Sequence, residues 1–306
     1  MKRALLCSAF AALLTGCGLC PSPPSAATGT AARYPITDVA SAPATPVRNQ
    51  AKSGTCWAFG GVSLIESEAI RTRRCTPDLS EMWVVRHAYF EKAVKYVRTR
   101  GRVAFDQGGE IQDVLWLVDR YGIVPQSLYE GGAADGTYDH ASLAKAIRRL
   151  AKRIVDKKLY EKEHWQRMID EELDRRLGAR PDRFVIDGVA YTPFSYADSI
   201  GFRRDDYVAL TSFTHHPFFE RFVLEIPDNW AAHATLNIPL DSLMRLLDSA
   251  LAAGYTAAWD ADVSERGFGR RAGIALLPQQ EGRITLPAPE IVVDQPLRQR
   301  MFDTQA

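Results

Sequence analysis

Apolar positions along the first part of the chain fall at helical spacing. After Cys56, residues Trp57, Phe59, Val62, Leu64, Ile65, Ala69 and Ile70 fill a helix that is apolar nearly all round at its start. Such a helix belongs inside a domain. A second helix follows Pro77, with Asp78 or Ser80 as its cap and Val84, Val85, Ala88, Tyr89, Ala93, Val94 and Val97 as its apolar faces. Its cations Arg86, Lys92, Lys95 and Arg98 read as a solvated face. A third helix is expected over Ile111–Tyr121, ended by Gly122. Asp139–Leu177 is helical and heavily charged, with a break near Lys157–Glu161 and a basic half before an acidic one. It reads as a solvated helical insert. From Pro181 the pattern changes. Phe184–Tyr191 reads as a hairpin about Asp187-Gly188. Asp206–Thr211 and Arg221–Ile226 read as strands, Ile238–Ala253 as a helix ending at Gly254, and Tyr255–Asp260 as a buried strand. A helix-rich half followed by a strand-rich half predicts an α+β protein.

Composition places the chain among ordinary globular proteins: 306 residues, 46% apolar, 25% charged. A net charge of +1 argues against a nucleic-acid partner. The start does not belong to the fold. Lys2 and Arg3 precede a short apolar run, Ala4–Leu14, as in a secretory signal. Leu14-Thr15-Gly16-Cys17 resembles the bacterial lipobox, which implies lipidation at Cys17 and a tether to a membrane in the cell envelope. Pro21–Pro46 is rich in Pro, Ser, Ala and Thr and reads as a solvated linker. Of the other cysteines, Cys7 leaves with the signal, Cys20 and Cys75 can form a bridge only through a flexible tether, and Cys56 stands apart. There is no metal-ligand spacing, and no cofactor is implied. His215 and His216 are adjacent in a turn, where their side chains are expected to diverge.

Cys56 opens the first helix, where unpaired amides and the helix dipole favour an anion. A thiolate there can attack a carbonyl, and the oxyanion that forms needs hydrogen-bond donors. Gln50, six residues earlier, and the Cys56 backbone N–H are candidates. The run Gln50…Ser53-Gly54-Thr55-Cys56-Trp57-Ala58-Phe59 resembles the nucleophile segment of papain-like cysteine peptidases, in the bleomycin hydrolase/aminopeptidase C branch. Ser53 stands where the papain signature has a cysteine, and Thr55 where it has Ser or Ala. Leu79-Ser80-Glu81, the run from Gly108 to Glu130, Tyr207–Ser212, Asn237–Leu240 and Ala258–Val263 are similar to the same family. The resemblance implies a two-lobe fold with Cys56 as nucleophile and Gln50 in the oxyanion hole. It also implies a substrate cleft walled by Gly108 and Gly109 beside Trp57, where an extended peptide can pair in β-fashion. Oligomers are a habit of the branch.

The family's base is a histidine oriented by an asparagine in an Asn-Ser-Trp segment. The six histidines (His87, His140, His164, His215, His216, His233) do not lie in such a setting, and none of Asn49, Asn229 and Asn237 precedes Ser-Trp. His233 is the nearest mimic. Gln295–Asp303 resembles the family segment just ahead of the catalytic histidine, so the sequence is expected to stop short of it. The expected layout is a signal at 1–20, a tether at 21–45, a helical lobe at 46–138, a charged insert at 139–180 and an incomplete strand-rich lobe at 181–306. The expected activity is hydrolysis of peptide bonds in peptide or protein substrates. A non-catalytic peptide-binding remnant and an acyltransferase are the alternatives.

Overall fold

In the computed structural model, the described residues are 38–103, 105–132, 137–261 and 293–305, with the strand pairs at 268–269 and 274–275. The signal, Cys17 and Cys20 lie outside them. Helix α1, Cys56–Arg73, starts at the candidate nucleophile, and Arg74 ends it in the left-handed region. Helix α2, Glu81–Arg98, is capped by Ser80, whose hydroxyl accepts from the Trp83 N–H at 3.0 Å. Helix α3, Ile111–Tyr121, ends at Gly122. Helices α4, Ala141–Asp156, and α5, Lys162–Leu177, flank the expected break.

Helix α2 is the hub, packed against α1, α3, α4 and α5. Leu143, Ile147, Ala151 and Ile154 of α4 and Trp165, Ile169, Leu173 and Leu177 of α5 are buried in the same core as Val85, Ala88 and Val94. This packing overturns the reading of a solvated face for Arg86 and Lys92, whereas Arg98 is exposed as expected and Lys95 is half-buried. Arg86 is 0% exposed and Lys92 2% exposed. Arg86 donates to Asp170 at 3.0 Å and Asp174 at 2.5 Å, both on α5. A buried charge needs such partners, because leaving it unpaired in a low dielectric costs several kcal/mol.

Helices α1 and α3 meet where Gly61 faces Val114. A Cβ on Gly61 would stand 2.5 Å from the Val114 Cγ2. Gly61→Ala therefore is expected to destabilise the fold by about 1–3 kcal/mol through overpacking. Val114→Ala in the same chain should return part of that loss, so urea midpoints of both single variants and the double should be non-additive. Additive losses would mean the two residues do not press on each other.

The second half begins with the hairpin β1, Phe184–Ile186, and β2, Val189–Tyr191, with Phe184 opposite Tyr191. Asp187 and Gly188 both have positive φ (49° and 79°), as a two-residue turn matching strand twist demands. Helix α6, Pro193–Ser199, follows. A three-stranded sheet has the order β3-β5-β4. Strand β3, Leu210–Thr211, runs parallel to β5, Ala234–Asn237, and β4, Arg221–Val223, runs antiparallel to it. The strands are shorter than the sequence pattern predicts, and Arg204–Asp206 is a 3₁₀ turn. Helix α7, Leu240–Ala252, stops just before Gly254, φ +83°. Tyr255–Asp260 is neither strand nor buried, with Trp259 81% exposed. No strand pairs with it among the described residues, and a backbone without a ladder partner does not stay extended for its side-chain pattern alone. Strands β6, Phe268–Gly269, and β7, Ile274–Ala275, pair with each other, and α8 covers Gln295–Gln305. No described helix is long and apolar enough to cross a membrane.

Candidate active site

The turn before α1 is tied by its own side chains. Asn49 accepts from the Ala51 N–H at 2.8 Å, and Ala51 takes φ +51°. The Ser53 N–H and hydroxyl both donate to the Gln50 carbonyl, at 3.2 and 2.8 Å. The hydroxyls of Ser53 and Thr55 lie 2.6 Å apart in the interior. The Lys52 N–H reaches the Tyr138 carbonyl at 2.8 Å, which anchors the turn to the approach of α4. Cys56 emerges from this turn exposed to solvent, and its thiol is free. Thr55 Ala58 contact closes the first turn of α1, with the Ala58 N–H donating to the Thr55 carbonyl at 2.9 Å. The amides of Cys56 and Trp57 occupy positions where a helix has no acceptor of its own.

Gln107 fastens this turn to the Gly108-Gly109 segment. Its side-chain oxygen accepts from the Gly54 N–H at 2.8 Å, and its backbone carbonyl accepts from the Trp57 indole N–H at 3.0 Å. Gly109 lies flat on the Trp57 ring, where a Cβ would meet Cε2 at 2.9 Å and the Asp113 Oδ2 at 3.0 Å. Gly108 abuts the Asp228 carboxylate, which would have to shift to admit a side chain. Trp57 is itself buried, so it supports the wall from behind. Lys92 completes the support from α2. Its ammonium donates to the Asp106 carbonyl at 3.0 Å and to the Gly108 carbonyl, while burial pulls its pKa down. The sequence reading singled out Cys56, Gln50, Trp57 and the two glycines. It missed Gln107, whose one local signal is its place beside Gly108, and read Lys92, sixteen residues away, as a solvated cation.

Gln50 is half-buried, and its side-chain N–H donates to the Ser53 carbonyl at 2.7 Å. A primary amide carries a second N–H proton, so this bond leaves one donor over.

The six histidines are placed elsewhere. His87 is fully buried, 2.8 Å from the Trp83 carbonyl, and burial holds its pKa well down. His140 is buried against Tyr89 and Tyr138, with its pKa lowered to about 4 by burial. His164 is exposed on α5. His233 lies 3.1 Å from Asp113 and packs on Trp116. None makes a hydrogen bond or ion pair with Cys56 among the described residues. His215 and His216 do not diverge as expected. Their rings are 4.6 Å apart and both face Glu225, because a turn does not alternate its side chains as a strand does.

Glu110 caps α3 directly after the wall. Burial, then repulsion from Asp260, Asp113 and Asp228, pushes its carboxyl up to about 7 from the ordinary 4.5. Between those values the folded chain holds a proton that the unfolded chain has lost. Stability from this group is therefore present below about 4.5 and falls as pH rises toward about 7. Glu81, also raised to about 7 by burial, adds to the same slope. Glu110→Gln is expected to flatten the fall between about pH 5 and about pH 8 by roughly 1–3 kcal/mol relative to the parent. Urea midpoints at the two pH values measure it, and equal slopes in both proteins would remove Glu110 from the pH response.

A free thiol at the head of a buried helix, bolted to a diglycine wall, defines a papain-like arrangement. Residues 35–168 match the family model described as papain family cysteine protease. Among solved structures, the chain is similar to PepW from Lactobacillus rhamnosis HN001, with a TM-score of 0.55 at 19% identity. The match covers 72% of this chain and 59% of PepW, so the fold is shared over that part of its length. A search of curated proteins finds no match.

Proposed function

We propose that this chain carries the nucleophile side of a cysteine-type peptidase of the bleomycin hydrolase/aminopeptidase C kind. The observation that carries the reading is the exposed Cys56 thiol at the first position of α1, held against the Gly108-Gly109 wall through Gln107. The Cys56 thiolate attacks the peptide carbonyl. The Cys56 N–H and the spare Gln50 N–H stabilise the oxyanion. As it collapses the C–N bond breaks, the amine leaves with a proton from a general acid or water, and the acyl group stays on sulfur as a thioester until water hydrolyses it and restores the thiol. Gly108 and Gly109 lie in the chain where backbone groups can pair with an extended peptide. Lys2, Arg3, the apolar run to Leu14 and Cys17 favour a lipid-anchored protein of the bacterial envelope.

The test is hydrolysis of free-amino and N-blocked peptidyl amides by the full-length gene product, with and without Cys56. Loss of turnover on replacing Cys56 supports the reading. Turnover that survives the replacement overturns it.

A further inference from the structure

His215 and His216 sit in the turn between β3 and β4, and Glu225 lies just past β4. The His216 Nε2 is 2.6 Å from the Glu225 Oε1, and the His215 Nε2 is 3.3 Å from its Oε2. One ligand atom from each residue can be chosen so that all three lie within 4.8 Å of one another. The arrangement is braced on every side. The Asn237 side chain, fully buried, accepts from the Phe213 N–H at 2.9 Å, and its NH₂ shares two protons among the carbonyls of Phe213, His216 and Pro217 at 2.8–3.1 Å. The backbone carrying both imidazoles is thus pinned on either side of them. The His215 ring stacks on Phe302 of α8 at 5.4 Å and 8°, and the His216 ring on Phe222 at 4.1 Å and 23°.

The orientation of the His215 ring is also held. The Gln299 side chain reaches the His215 Nδ1, with its oxygen at 3.4 Å and its nitrogen at 3.1 Å. The amide thus braces the Nδ1 edge of the ring and leaves Nε2 turned toward Glu225, as outer partners that orient metal-bound histidines do. The same oxygen accepts from the Thr214 N–H at 2.6 Å, so the partner is itself held.

We propose that His215, His216 and Glu225 form a binding site for a borderline divalent transition ion, Zn²⁺ first among them. Two imidazoles and a single carboxylate suit Zn²⁺, whereas Ca²⁺ and Mg²⁺ call for more oxygen ligands. Three protein ligands leave the coordination open on the solvent side. The ion would cross-link the β3–β4 turn to the end of β4 and, through Gln299, to α8. This site is separate from the Cys56 chemistry and does not depend on it.

The experiment is calorimetric titration of the full chain with Zn²⁺, in the Cys56→Ser background so that this thiol does not compete. Co²⁺ absorption serves as a second reading. The expected result is one ion per chain, a rise in Tm with Zn²⁺, and a Co²⁺ spectrum without a thiolate charge-transfer band. Glu225→Gln and His216→Ala should each weaken binding by about tenfold or more, and Gln299→Leu by about tenfold. His164→Ala, at an exposed site on α5, should bind as the parent does. All these positions are on or near the surface, and circular dichroism confirms folding of each variant. Equal binding in the parent and in Glu225→Gln, or Co²⁺ bound only through thiolate, would overturn the proposal.

Discussion

Cys56→Ala in the full-length gene product is expected to lower kcat/KM for peptide amides by about 10⁴–10⁶-fold, with little change in KM. The loss is chemical rather than structural. Cys56 is exposed, so alanine removes no packed atoms. Alanine is also the best helix former, and the position is the first of α1. The wall is held by Gln107 and Lys92, and neither contact involves the thiol. Tm should therefore stay within the range of a surface change, about 0.5 kcal/mol in stability. Cys75, the other described free thiol, is half-buried and lies 4.0 Å from the Ala69 carbonyl. Cys75→Ala should leave turnover unchanged. A peptidyl vinyl sulfone should add to Cys56 and not to Cys75, which mass spectrometry of the digested adduct can locate. Adducts distributed between both thiols would mean that Cys56 is not set apart by its surroundings.

The second large effect is structural. Gly122→Ala is expected to destabilise the fold by about 3–5 kcal/mol. Gly122 ends α3 at φ +68°, ψ −165°, a region open to glycine and closed to other residues. A Cβ there would stand 2.2 Å from the Pro193 carbonyl carbon, which is backbone and has no rotamer to escape into. The junction is bonded on both sides. The Trp83 indole N–H donates to the Gly122 carbonyl at 3.0 Å, and the Ile123 N–H to the Pro193 carbonyl at 3.0 Å. Opening it separates α3 from α6 and disturbs the α2 hub together. Gly178 supplies the comparison. It has φ +93°, ψ 155°, and a Cβ would meet nothing within 4 Å. Gly178→Ala should cost only the backbone strain, about 1–3 kcal/mol. Urea unfolding with a common slope measures both. Equal losses would show that the Pro193 contact adds nothing.

The resemblance of the Gln50–Phe59 run to papain-like peptidases agrees with the family match over residues 35–168 and with the shared fold. The α+β class follows the same way, because the change of period at Pro181 is written in local order. So are the start of α1 at Cys56, the Ser80 cap, the break between α4 and α5 and the Asp187-Gly188 turn. Each depends on residues within a few positions of one another, where propensity, capping and turn chemistry act.

What the tertiary structure alone decided involves residues far apart in the chain. Arg86 and Lys92 look like any helix-surface cations. They are interior because Asp170 and Asp174 on α5 and the carbonyls of residues 106 and 108 come to meet them. Tyr255–Asp260 has the composition of a strand and, among the described residues, lacks the ladder partner a strand needs. Gln107 holds the nucleophile turn across 53 residues of sequence through its side chain and 50 through its carbonyl. His215, His216 and Glu225 converge because Asn237 of β5 pins the turn from another strand. Periodicity records which face of an element is apolar. It does not record which distant polar group will arrive to satisfy a buried charge or amide, and that arrival is what built both the anchoring of the Gly108-Gly109 segment and the histidine cluster.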